Sequence, residues 1–142
     1  MFIGNLALMT AALFTGAAIY VSVAEQPARL GLNDRALLQE WKPAYDRGFA
    51  MQAPLSIIGS IFGVWFWWIS RDWRWLAGAI ALVSNGPYTL TVIMPTVKVL
   101  KAMPLESAGA ESRGLIEKWG RLHVVRIALG ALATLLFLWA AN

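Results

Sequence analysis

Five side chains could do chemistry in an otherwise apolar chain: Glu25, Gln52, Thr96, His123 and Arg126. When the hydrophobic stretches that separate them are laid alternately up and down, all five fall at one level. His123 is the sole histidine. Trp119, His123 and Arg126 follow i, i+4 and i+7 and so project from one face of a helix. An imidazole beside a guanidinium can take a proton and stabilise the oxyanion left behind. The same pair also suits a plainer role, an interfacial histidine with an arginine snorkelling to lipid headgroups, and the residues alone leave both open.

A second polar group interrupts the third hydrophobic stretch, where Ser84, Asn85, Gly86 and Pro87 are followed by Tyr88, Thr89 and Thr91, and then by Pro95 and Thr96. Pro87 removes one helical hydrogen bond and predicts a kink that frees carbonyls near Val83. An amide such as Asn85 needs partners in hydrocarbon and points to a polar cavity there, although neighbouring helices can also satisfy a kink.

Several chemistries are disfavoured. With no cysteine there is no disulfide, thiolate metal site or cysteine nucleophile. One histidine supplies one imidazole, which argues against six-coordinate heme, and no acidic cluster suits iron or zinc. The expectation is no metal and no cofactor. Phosphate-loop, nucleophile-elbow and dinucleotide fingerprints are missing. The net charge of +4 resolves into short basic loops, the pattern of a membrane surface and not of a nucleic-acid binder.

These residues must be positioned by what surrounds them, and 58% of the chain is hydrophobic. All the Asp, Glu, Lys and Arg residues fall within Glu25–Arg47, Arg71–Arg74 or Lys98–Arg126. The uncharged stretches between predict an all-α fold, an up-and-down four-helix transmembrane bundle forming one integral membrane domain over residues 1–142. The spans are expected near residues 2–24, 49–70, 75–98 and 121–141. The last begins early enough to bring His123 and Arg126 into or against the membrane. Ser22, Val23 and Ala24 resemble a signal-peptidase site, but no positive segment precedes them, so the first stretch is read as a span.

Lysine and arginine are denser in loops one and three than in loop two, which places loops one and three in the cytoplasm if the host is a plasma (inner) membrane. Trp65, Trp67, Trp68, Trp73, Trp75 and Trp139 gather at the loop-two level. In loop one, Asn33 is a plausible N-cap for a short amphipathic interfacial helix carrying Leu37, Leu38, Trp41 and Tyr45. In loop three, Ser112 is the expected cap of the helix leading to His123. Small residues at Gly59 and Gly63, Ala12 and Gly16, and Gly130 and Thr134 suit close helix packing, within one bundle or along a homodimer seam.

Across nearly the whole chain, an ordered set of segments carries a resemblance. It comprises LFTGAAIYVSVAEQP from Leu13 to Pro27, the Trp41 to Arg47 stretch, MQAP from Met51, NGPYTL from Asn85, IMPT from Ile93, and WGRLHVVR from Trp119 to Arg126. In this the chain resembles the anthrone-oxygenase-like family of small four-helix membrane proteins. One position departs: Val97 stands where the family often has Asn after the Pro-Thr pair.

The resemblance implies oxidation of a lipophilic aromatic or quinone-like substrate by dioxygen, with dioxygen as co-substrate and no metal or flavin. It implies His123 as base and Arg126 with Gln52 as holders of the oxyanion. Tyr45, Asn85 and Tyr88 would shape the pocket, with Glu25, Arg47, Thr89, Thr96 and Trp119 as further substrate-binding candidates. The expected partners are the lipid bilayer, a lipophilic aromatic substrate, and a homodimer or larger membrane complex. Two other classes stay open on the residues alone: a non-catalytic accessory subunit of a membrane complex, and a small transporter suggested by the broken third helix.

Overall fold

The structure is a computed structural model describing residues 1–142. It is helical throughout. Helix α1 (Phe2–Tyr20) runs through a π-helical turn at Val21–Glu25 into α2 (Gln26–Leu30). Helix α3 (Asp34–Ser70) leads back to α4 (Trp73–Val83), which continues through α5 (Asn85–Tyr88), a second π turn at Thr89–Ile93, and α6 (Met94–Ala102). A 3-10 turn at Leu105–Ser107 precedes α7 (Ala110–Ala141). Four helical rods result, over Phe2–Leu30, Asp34–Ser70, Trp73–Ala102 and Ala110–Ala141, each long and apolar enough to cross a membrane. Helices α1 and α4 each pack against both α3 and α7, the arrangement of an up-and-down bundle.

Two starts refine the sequence expectation. Asn33 does cap a helix, accepting from the Ala36 N–H at 3.0 Å. That helix does not stop at the interface: it passes through Pro43 and Pro54 into the second span. Its amphipathic face is covered, because Leu37, Leu38 and Trp41 are buried with Ile93, Leu100 and Ile116. Ser112 is not the cap of α7. Gly109 takes that place, and the Ser112 hydroxyl accepts from the Gly109 N–H at 3.0 Å from within the first turn.

The loop-two end is close-packed and apolar around Ala7, Ala11, Phe14, Trp75, Leu82 and Phe137. Glycine makes this approach feasible: a Cβ at Gly78 or Gly63 would stand 2.5 or 2.7 Å from the Phe137 ring. Gly59 and Gly130 meet Thr10 and Thr15 in the same way, whereas Gly16 faces open space. Small-residue spacing thus packs this bundle internally at Gly59, Gly63 and Gly130.

Trp73 and Trp139 meet edge to face at 5.7 Å, confirming a shared level, but Trp75 lies in the core at 1% exposure. Arg74 caps this end, donating to the Trp139 carbonyl at 2.8 Å and to the Asp72 carboxylate. Those side-chain hydrogen bonds hold the Asp72 carboxyl below its ordinary pKa.

At the opposite end, loops one and three are tied together. Arg113 donates to Asp34 at 2.6 Å and to the Leu30 carbonyl at 2.9 Å, and Lys101 pairs with Asp46. Outside, the rods present Ile57, Ile61, Leu90, Leu135 and other large apolar side chains, a surface that suits hydrocarbon.

Candidate functional site

The polar residues of the four rods meet inside the loop-one and loop-three half. Helix α7 presents Trp119, His123 and Arg126 inward, with exposures of 5%, 2% and 6%. Arg126 therefore does not snorkel. Its guanidinium lies 5.4 Å from the Phe14 ring centroid, and its Nε has no hydrogen-bond partner.

Opposite α7, the first rod adopts its π turn. Such a turn widens the helix by one residue and is often found at functional sites. Here Val21 and Glu25 border the same space as His123, while Ser22 Oγ lies 3.2 Å from His123 Nδ1. That contact orients the ring, and it is the one hydrogen bond the imidazole makes.

Glu25, Tyr45, Gln52, Trp119, His123 and Arg126 enclose a chamber of about 20 Å³, with Arg29 and Phe49 completing much of its wall. This is room for roughly one water-sized molecule. Two larger spaces flank it. A cleft of about 290 Å³ lies between α3 and the broken third rod, bordered by Phe49, Ser56, Asn85, Thr89 and Arg126. A groove of about 480 Å³ lies between the first rod and α3, bordered by Tyr20, Glu25, Glu40, Arg47 and Gln52. Phe49 and Arg126 line both chamber and cleft, and Glu25 and Gln52 line both chamber and groove.

On these walls Tyr45 Oη, Gln52 Oε1, Asn85 Oδ1 and Arg126 Nε meet no protein partner, while the Arg29 and Glu40 atoms that lack hydrogen bonds belong to residues joined in an ion pair. Buried polar atoms are almost always paired in folded proteins, and each one left unpaired costs about 1–3 kcal/mol. Their concentration around one chamber and its cleft leaves donors and acceptors there that a water or a polar ligand can meet.

Arg29, which the charge pattern puts in loop one, is a wall residue: its rod continues to Leu30 and buries it to 4% exposure. Its Nη2 pairs with Glu25 at 2.5 Å, and its guanidinium lies 5.7 Å from the Trp119 ring centroid. Arg29 Nε also approaches Glu40 at 3.1 Å, without the alignment of a hydrogen bond. The i, i+4 spacing of Glu25 and Arg29 was the available signal. Phe49 and Ser22 carried none.

The other candidates distribute as follows. Asn85 and Thr89 reach the cleft and Arg47 the groove. Tyr88 is turned away: its hydroxyl donates to the Leu122 carbonyl at 2.8 Å, tying the third rod to α7. Thr96 is buried but borders none of the three spaces. Val97, the departure from the resemblance, is packed in the apolar cluster with Leu37 and Trp41, so its side chain takes nothing from the chamber. No three His, Asp or Glu side chains gather as metal ligands would.

A family profile described as anthrone oxygenase matches residues 41–136. The chain belongs to the anthrone oxygenase family. It is 28% identical over 133 residues to anthrone oxygenase tpcL of Aspergillus fumigatus, covering 84% of this chain and 81% of that protein. It is 26% identical over 137 residues to an anthrone oxygenase of Claviceps purpurea, covering 87% and 79%. No solved structure matches the chain. The family match spans Tyr45, Gln52, Asn85, His123 and Arg126 and begins after the π turn that carries Ser22 and Glu25.

Proposed function

We propose that this member of the anthrone oxygenase family oxidises a lipophilic, oxygenated aromatic C–H acid of the anthrone type to a quinone, using dioxygen and no cofactor. The observation that carries the reading is the group of unpaired buried atoms, Tyr45 Oη, Gln52 Oε1, Asn85 Oδ1 and Arg126 Nε, beside the one histidine. An accessory scaffold gains nothing from polar groups left unpaired in its interior, whereas a site for an oxygenated ligand does: the Tyr45 hydroxyl and Arg126 Nε can donate to its oxygen, and the Gln52 and Asn85 carbonyl oxygens can accept from a hydroxyl.

The ring system enters sideways from the bilayer into the cleft between α3 and the third rod, and its carbonyl oxygen meets Arg126. His123 takes the proton from the activated carbon, and the electron pair moves onto that oxygen. The Arg126 guanidinium and the Gln52 amide donate to the oxyanion. The electron-rich carbanion form then reduces dioxygen and forms a C–O bond at the same carbon. His123 returns its proton to give a hydroperoxide, and loss of the second C–H proton with cleavage of the O–O bond leaves the quinone and water. One dioxygen is consumed per substrate, with one oxygen atom in the quinone and one in water.

The test is oxygen uptake and quinone formation by protein purified into lipid nanodiscs and supplied with anthrone. The expected result is equal amounts of dioxygen consumed and quinone formed, with a loss of about 100-fold or more for His123→Ala. An unchanged rate in that variant removes His123 as base.

A further inference from the structure

The cleft between α3 and the third rod does not end at its apolar rim. Ile57 and Val83 border it and also border a second groove of about 490 Å³ between α3 and α4. On α3 this groove follows Ile57, Ile61 and Val64 at i, i+4 and i+7 toward Trp65, and Ile80 forms the facing wall. Its one polar side chain, Ser60, is occupied with the Ser56 carbonyl at 2.7 Å. The polar end at Asn85 and Arg126 is thus continuous with an open hydrocarbon track. From Ile57 to Trp65 the helix rises about 12 Å.

We infer, building on the proposed oxidation, that the substrate is an amphiphile whose aromatic head fills the cleft and whose hydrocarbon tail lies in the α3/α4 groove, pointing toward Trp65. Depth decides against a phospholipid headgroup in the cleft. Asn85 lies about 18 Å along the rod from Trp73, near the middle of a hydrocarbon layer about 30 Å thick. A charged headgroup is expensive there, but a phenolic or carbonyl-bearing ring is not, because Asn85 Oδ1 and Arg126 Nε are unpaired and available to it. The tail adds little affinity, since lipid is as apolar as the groove. Its effect is orientation: it holds the ring with its oxygen toward Arg126 and its acidic carbon toward the chamber.

The experiment compares anthrone with an anthrone bearing a decyl chain, in nanodiscs holding wild-type protein or the double variant Ile61→Trp with Ile80→Trp. Both positions are more than half exposed and touch neither chamber nor cleft, so the indoles fill the groove without disturbing the core. In the wild type the decyl compound should be oxidised with about tenfold higher kcat/KM. That advantage should vanish in the double variant while plain anthrone is unaffected. Equal rates for both compounds in the wild type, or an equal loss for both in the variant, overturns the tail groove.

A second readout does not depend on turnover. A decyl anthraquinone with a terminal diazirine is photolysed on the protein and the labelled residues are mapped, with diazirine palmitate as the lipid control. Labelling concentrated at Val64, Trp65 and Ile80 and competed by decyl anthraquinone supports the groove, even if oxidation is absent and the proposed reaction falls. Labelling spread over all apolar faces, or groove labelling by palmitate that the quinone does not displace, overturns it.

Discussion

The two ends of this bundle each bury an apolar cluster but differ in their polar groups. At the loop-two end, Phe14, Trp75, Leu82 and Phe137 fill the space between rods that glycines bring together, and no fully inaccessible side-chain polar atom there is left without a partner. Toward the loop-one and loop-three side lie both π turns, the break at Ser84, and buried side-chain atoms of Gln26, Trp41, Tyr45, Gln52, Asn85 and Arg126 that no protein group meets. Each such atom costs about 1–3 kcal/mol unless water or a ligand meets it. Where a fold departs from good packing and pairing, function is the usual reason.

The contrast is broken most sharply at His123. His123→Ala should slow oxidation by about 10²–10⁴-fold, an effect on rate well beyond the modest loss of thermal midpoint expected from truncating a buried ring that packs on Trp119 and makes one hydrogen bond, to Ser22. A folded, fully active variant would make this end another packing region.

Arg126→Gln should cost about 10²–10³-fold in turnover. Its stability should hold or rise, since the change removes a buried charge with no carboxylate partner and an unpaired Nε. Loss of stability without loss of rate would assign Arg126 to the scaffold.

Glycine substitutions sharpen the comparison from the other side. Gly78→Ala places a methyl 2.5 Å from Phe137 and should destabilise by about 1–3 kcal/mol in chemical or thermal unfolding. Gly86→Ala, at the site end, meets nothing within 4 Å and should be neutral or slightly stabilising. Among the effects on rate, the smallest is expected of Ser22→Ala. Loss of its contact with His123 Nδ1 is worth roughly 0.5–1.5 kcal/mol, a few-fold reduction in kcat with KM unchanged.

Much of this was legible in the residues because a bilayer imposes strong patterning. Uncharged stretches became rods, Asn33 became a cap, and the i, i+4, i+7 spacing of Trp119, His123 and Arg126 put them on one inward face. What was illegible depends on neighbours. The residues of Val21–Glu25 and Thr89–Ile93 do not themselves announce a π turn; the local mark is the proline two residues after each, Pro27 and Pro95, whose missing N–H perturbs the helical ladder. The charge-based boundary at Ala24 hid Arg29, which the helix carries inward to Glu25 and Trp119. Tyr88 looked like a pocket residue by position, but the Leu122 carbonyl takes its hydroxyl. Thr96 lies near the right level and still misses the chamber, because level along a rod says nothing of azimuth after a π turn.

The central claim is that His123, on the chamber wall, removes a carbon-bound proton from a substrate held in the adjoining cleft. It is tested most directly without oxygen, by following deuterium incorporation at the acidic carbon of anthrone in D₂O under argon, with protein in nanodiscs and the spontaneous exchange subtracted. The account predicts exchange accelerated by the wild type and reduced to the spontaneous rate by His123→Ala, with no quinone formed until dioxygen is admitted. Exchange that is equally fast in the variant, or absent in a wild type that still forms quinone in air, would contradict it.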